Sequence, residues 1–156
     1  MTVTLAEFNT APPEKAGELL TACLDVPRWV DAVLAGRPYP DLAALTGAAR
    51  LTLTGDETRR AIAAHPRIGE KPSGGWSRDE QSGVDDAAAA EFRAANAEYE
   101  ERFGHVFLVC AAGRSGDELL ANLRERMLND PDTELAVAGR ELVDIAVLRL
   151  GKAVTA

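Results

Sequence analysis

The chain has 156 residues and a mass of 16.6 kDa, the size of one domain, since domains commonly run about 100–150 residues. Its 25 Asp and Glu outnumber 17 Lys and Arg, giving a net charge of −8 and a pI near 4.8, which excludes the basic face of a general nucleic-acid binder. Hydrophobic residues make up 46% of the chain but aromatic ones only 5%, so the core is expected to be mostly Ala, Leu, Val and Ile. With 27% charged residues and a mean hydropathy of −0.13, global disorder is also excluded. No apolar run approaches the ~18–20 residues that span a bilayer, and the first residues lack a charged-then-apolar signal pattern. Cys23 and Cys110 build neither a disulfide scaffold nor a CxxC pair. These features lead us to expect a reduced, cytoplasmic, all-α domain covering residues 1–156, with no nucleic-acid or membrane partner.

Helix signals dominate the chain. A Ser or Thr followed three residues later by Glu occurs at Thr4/Glu7, Thr54/Glu57, Ser77/Glu80 and Ser115/Glu118. Each such capping box satisfies two backbone N–H groups that an uncapped first turn leaves bare. Pro12 and Pro13 after Thr10, and Pro131 after Asp130, suit first-turn positions. Helices are predicted near 12–23, 26–35, 40–48, 56–64, 77–101, 116–129 and 133–150. The Ala- and Glu-rich stretch from Ala87 to Glu101 has no internal Gly or Pro, so it is strongly helical, whereas Pro72 and two glycines make Lys71–Gly75 a loop. Val106–Ala112 is too short for periodicity to separate a buried strand from an irregular apolar segment.

Few residues have the pattern of chemistry. His65 stands at the predicted end of the 56–64 helix, before Pro66, whose ring disfavours helix at the preceding position. A helix C-terminus favours an imidazolium, so His65 is either a proton donor near neutral pH or a simple helix-end cap. Ser77 and Glu80 are either one more capping box or, with Gln81 and the free N–H groups of a helix start, a site for a polar ligand. Arg149 lies on the face marked by Leu135, Ala138, Leu142 and Ile145. Turned inward, it needs an anion such as a carboxylate; on a frayed end before Gly151 as C-cap, it snorkels to water. Cys110 reads as a small core residue and His105 as a loop residue, and with two histidines and no paired cysteines a zinc site is not expected. Gly113–Gly116 lacks the preceding strand and the Lys of a phosphate loop.

Taken together, HPRIGEK (65–71), WSRDEQ (76–81), Asn96–Tyr99, FGHVFLVCA (103–111) and DIAVLRL (144–150) resemble the 2-oxo-4-hydroxy-4-carboxy-5-ureidoimidazoline (OHCU) decarboxylase family. The likeness extends to Leu5–Phe8, Trp29 and Arg37-Pro38-Tyr39. It implies an all-helical, commonly dimeric protein that uses no cofactor or metal, takes OHCU as its small-molecule substrate and releases CO2 and (S)-allantoin. By motif, His65 resembles the catalytic histidine, Glu80 a carboxylate contacting the ligand, and Arg149 the substrate-binding arginine. Pro66, Ser77 and Gln81 resemble ligand-lining positions. Phe107, Leu108, Val109, Cys110 and Ala111 match a segment whose backbone lines the pocket. The chain has HPRIGEK where the family often has HPDLAGK, FGH where it often has FGF, and a shorter loop between histidine and serine. Two other classes are weighed beside this one. In a non-catalytic interaction module, 65–81 would only cap helices and Arg149 would be superficial. The HPRIG and FGH departures point instead to a same-fold enzyme acting on another ureido acid.

Overall fold

A computed structural model describes residues 2–64 and 86–156. Strand β1 (Val3–Thr4) leads into α1 (Leu5–Thr10), α2 (Pro13–Cys23), α3 (Pro27–Ala35), α4 (Leu42–Ala49) and α5 (Gly55–Ala63). After the break come α6 (Asp86–Phe103), α7 (Gly116–Arg126), α8 (Pro131–Ala153) and strand β2 (Val154–Thr155). The expected all-α class is what these elements form. The first part of the expected 77–101 helix lies outside the described residues.

The caps explain most boundaries. Thr4 and Thr54 accept from the N–H of Glu7 and Glu57, and each glutamate returns a bond to the cap's own N–H, so both boxes close. At Ser115 the box is half made: its hydroxyl accepts from the Glu118 N–H but donates to the Glu118 carboxylate. Asp130 caps α8 through the Thr133 N–H, with Pro131 in the first turn, and Asp41 starts α4 through the Ala44 N–H. Pro12 acts as an N-cap without a side-chain bond.

Three expectations need correction. α1 is a helix that the periodicity did not announce: it has six residues, too few to show an apolar face. Tertiary bonds hold it instead. Asn9 and Tyr39 exchange two hydrogen bonds, of 2.9 and 2.8 Å, and Arg37 Nη1 donates to the carbonyls of Phe8 and Ala11. The Arg37–Pro38 peptide is cis. Second, α7 ends at Arg126 rather than 129. Third, α8 runs through Gly151, which is no C-cap, and stops only where β2 pairs in parallel with β1, Val3 against Val154 and Thr4 against Thr155. That pairing buries Val154 completely and ties the last turn down.

The described core has two clusters. The larger joins α1–α5 to α8 around Phe8, Leu20, Trp29, Leu45, Ile62, Leu142 and Leu150. The Trp29 indole N–H, wholly buried, donates to the Ala49 carbonyl at 2.7 Å. The smaller cluster joins α6 and α7 around Phe92, Tyr99, Phe107, Leu119 and Leu123. Residues 106–111 run between the two. They are irregular rather than a strand, with Leu108 in the larger cluster and Phe107 and Val109 in the smaller.

α5 and α8 run side by side in the same direction. Gly55 meets Leu135 near their starts, and Thr58 meets Gly139 one turn on. A Cβ at Gly139 would stand 2.9 Å from Thr58 Oγ1. Thr58 is buried, and its hydroxyl is bonded to the Thr54 carbonyl at 2.9 Å, so it cannot swing aside without breaking that bond. The helices therefore need glycine here to approach closely. We expect Gly139→Ala to lower stability by ~1–3 kcal/mol, the usual range for overpacking, in a urea titration. Combining it with Thr58→Ala should cost less than the sum of the two single losses.

Candidate functional site

The α5–α8 contact decides where the end of α5 lies. The C-cap Ala64 keeps helical backbone angles, and the next residue is His65. His65, Pro66, Ser77, Glu80 and Gln81 lie outside the described residues. Across from Ala64, on the late part of α8, is Arg149. A cleft of about 210 Å³ includes Ala61 of α5 and its C-cap Ala64, Cys23 at the end of α2, Leu24, Asp25 and Arg149 in its walls. A second cavity of about 700 Å³, faced by Phe8, Lys15, Leu19 and Ala153, meets the first at Ala22, Cys23 and Arg149.

The two placements open to Arg149 are thus resolved in part. The helix is not frayed at this point, because it continues to Ala153 and the neighbouring Leu150 is fully buried. The centre of the buried face of α8 is Ala138, Leu142, Ala146 and Leu150, one position from the stripe drawn on the sequence, so Arg149 sits half-buried on its edge. Among the described residues no carboxylate lies within 4.0 Å of its guanidinium. It shares the walls of both cavities with the Cys23 thiol, which burial pushes up to about 11 despite the opposing pull of Arg149. A half-buried cation facing a neutral thiol suits an anionic ligand.

In segment 107–111 the side chains serve packing rather than the described cavity walls. The side chains of Phe107, Leu108 and Val109 are core, and Cys110 and Ala111 are half-buried. None of the five is among the described walls of the two cavities at Arg149. The Leu108 carbonyl is already taken, accepting from Arg126 Nη1 at 2.7 Å. Their backbone N–H groups, by contrast, meet no acceptor among the described residues. Burial raises the Cys110 thiol, which keeps it a packing residue rather than a nucleophile. His105 is the loop residue expected: its ring stacks on Phe103, meets Tyr99 edge-on, and has Nδ1 3.0 Å from the Val106 carbonyl.

What holds 107–111 in place went unread in the sequence. Arg126 and Glu134 form a buried ion pair, with Nε to Oε2 at 2.8 Å and Nη2 to Oε2 at 2.6 Å; Arg126 is 4% exposed and Glu134 0%. The Tyr99 hydroxyl also donates to Glu134 Oε2, and Asn129 Nδ2 donates to Oε1 at 3.1 Å. Burial, together with the carboxylate, holds the Tyr99 phenol far above its ordinary value. The guanidinium carbon lies 4.5 Å from the centroid of the Phe107 ring, which packs edge-on to Tyr99. The available signal was Arg126 three residues after Leu123 on the apolar face of α7, with Glu134 in the first turn of α8.

Among the described residues no group of three or more His, Cys, Asp or Glu is placed to hold a metal ion, and no helix is long and apolar enough to cross a membrane. A family model described as OHCU decarboxylase matches residues 9–151. The chain is 37% identical over 103 residues to the uric acid degradation bifunctional protein TTL of Arabidopsis thaliana, covering 59% of this chain and 32% of that protein. It is 35% identical over 114 residues to 2-oxo-4-hydroxy-4-carboxy-5-ureidoimidazoline decarboxylase of Amia calva, covering 73% of this chain and 56% of that protein. The chain thus spans between about a third and just over half the length of these curated relatives. A crystal structure of OHCU decarboxylase in the presence of (S)-allantoin superposes with a TM-score of 0.69 at 29% identity, over 85% of this chain and 94% of that one. A crystal structure of (S)-allantoin synthase, 20% identical, shares the fold with a TM-score of 0.69 over 96% of this chain and 54% of that one.

Removing one partner of the buried pair leaves a stranded charge. Glu134→Gln should cost ~3–5 kcal/mol in urea denaturation. The double variant Arg126→Met/Glu134→Leu should lose clearly less than the two single variants summed.

Proposed function

The chain belongs to the OHCU decarboxylase family, and from that premise we propose that it decarboxylates OHCU to (S)-allantoin in urate degradation. The observation that carries the reading is Arg149, half-buried and facing a cleft of about 210 Å³ whose wall includes Ala64, the residue before His65. The likeness to a structure of OHCU decarboxylase with (S)-allantoin, at 29% identity, supports it. The reading takes the protein as one helical domain over residues 1–156, as cytoplasmic from its composition and cysteine usage, and as a homodimer from the family resemblance.

In this reading Arg149 pairs with the anionic substrate. Attraction is then local, since a chain of net charge −8 repels anions at long range. Breaking the C–CO2 bond leaves an electron pair that the ring carbonyl and nitrogens of the substrate delocalise, so the substrate is its own electron sink. The 4-hydroxyl loses its proton as the new carbonyl forms, the carbon bearing the ureido group gains one, and one proton is taken up for each CO2 released. His65, the next residue in sequence after the α5 C-cap, is suited to hold the 4-hydroxyl and then supply that proton to one face. Glu80 orients the imidazole and accepts from the ureido group. Pro66, Ser77 and Gln81 line the ligand. From Phe107 to Ala111, the contribution is the backbone N–H groups, directed at a ring carbonyl.

Freshly generated OHCU decays spontaneously to racemic product, so enantiomeric excess followed by circular dichroism is the test. Wild-type protein should yield (S)-allantoin. His65→Ala should retain its thermal melt and lose about 10²–10⁴-fold in turnover. Racemic product from the wild type, or near-normal (S)-allantoin formation by His65→Ala, would overturn the assignment.

A further inference from the structure

Cys23 has no part in the chemistry described so far, yet it occupies the one place where both cavities and Arg149 meet. It is the last residue of α2 and 4% exposed. Only Ala22, Cys23 and Arg149 are common to the described walls of the two cavities, so these three residues stand at the junction of the small cleft and the larger cavity.

We propose that Cys23 is a specificity-determining residue of the Arg149 cleft, its small uncharged side chain leaving the guanidinium free for an anionic ligand and setting the space at the junction of the two cavities. This rests on the reading of Arg149 as the residue that binds the substrate's charge. Among the described residues, the carboxylates in the walls of the two cavities do not take that charge themselves. Glu7 is held by the Thr4 N–H at 3.0 Å, Asp25 is exposed, and neither of these nor Glu18 lies within 4.0 Å of Arg149. Position 23 is different: it is buried and shares the walls of both cavities with Arg149. A carboxylate there would pair with Arg149 in a site of low dielectric and compete with any ligand anion. A long aliphatic side chain would fill that junction and narrow the cleft.

The test uses allantoate, a stable ureido carboxylate, in isothermal titration calorimetry, beside OHCU turnover on the same proteins. Wild type should bind allantoate. The conservative Cys23→Ser should bind within about fivefold of it and Cys23→Asp at least tenfold more weakly. In turnover, Cys23→Asp should raise KM by a similar factor and change kcat by less than about threefold, the signature of lost ground-state binding. Should Cys23→Asp fail to melt cooperatively, Cys23→Leu decides by the same tenfold criterion on allantoate. Wild-type protein that ignores allantoate overturns the proposal, as does a folded Cys23→Asp or, in its place, Cys23→Leu that binds as the wild type does. The two readings separate cleanly. Stereoselective turnover with KM unmoved in Cys23→Asp ends the role of Cys23 and leaves the decarboxylase intact. Allantoate binding that depends on Cys23, without OHCU turnover, does the reverse.

Discussion

The buried pair of Arg126 and Glu134 is the constraint on which the second half of the structure rests. Two charges withdrawn from water are tolerated only when every lone pair and proton finds a partner. Here the partners come from four places: the Tyr99 hydroxyl on α6, the Asn129 amide in the turn between α7 and α8, the Leu108 carbonyl and the Phe107 ring. Satisfying the pair therefore fixes α6, α7 and the start of α8 together and clamps the irregular segment 106–111 among them. That segment makes no ladder of its own. Its order comes from Leu108 packing in one core cluster, Phe107 and Val109 in the other, and a carbonyl held by a guanidinium.

The first half is organised by close approach rather than by charge. Gly139 lets α8 lie directly against Thr58 of α5, and the two helices then carry Ala64 and Arg149 into the walls of one cleft. α2 completes that cleft with Cys23, whose neutral thiol leaves Arg149 as a cation with no carboxylate within reach among the described residues. The two arrangements meet on α8. Its first turn holds the buried Glu134, its middle packs against α5, and its last turns present Arg149 before ending in the β1–β2 pair. One long helix thus links the polar clamp to the cleft.

Signals acting over three or four residues were legible in the chain. Thr4, Thr54, Asp130 and Pro131 cap or open helices where their side chains predict, because a cap needs only its own first turn. The same cue at Thr4 marked the start of α1, but six residues carry no amphipathic period, and the bonds from Asn9 and Arg37 that hold the helix reach some thirty positions along the chain. Arg149 was picked out by its helical face, one position from the true centre of burial. Glu134 and Arg126 were passed over because each, taken singly, reads as a surface charge on an ordinary helix.

By itself the sequence determined the all-helical class, most helix starts and, through the order of its short motifs, the family. All of these depend on contacts within a turn of helix or on the identities of residues. The tertiary structure decided which charges are buried together, how close α5 comes to α8, that Val3–Thr4 pairs with Val154–Thr155, and that Cys23 and Arg149 line the same two cavities. These depend on groups far apart along the chain, whose energies appear only once packing has removed water from between them.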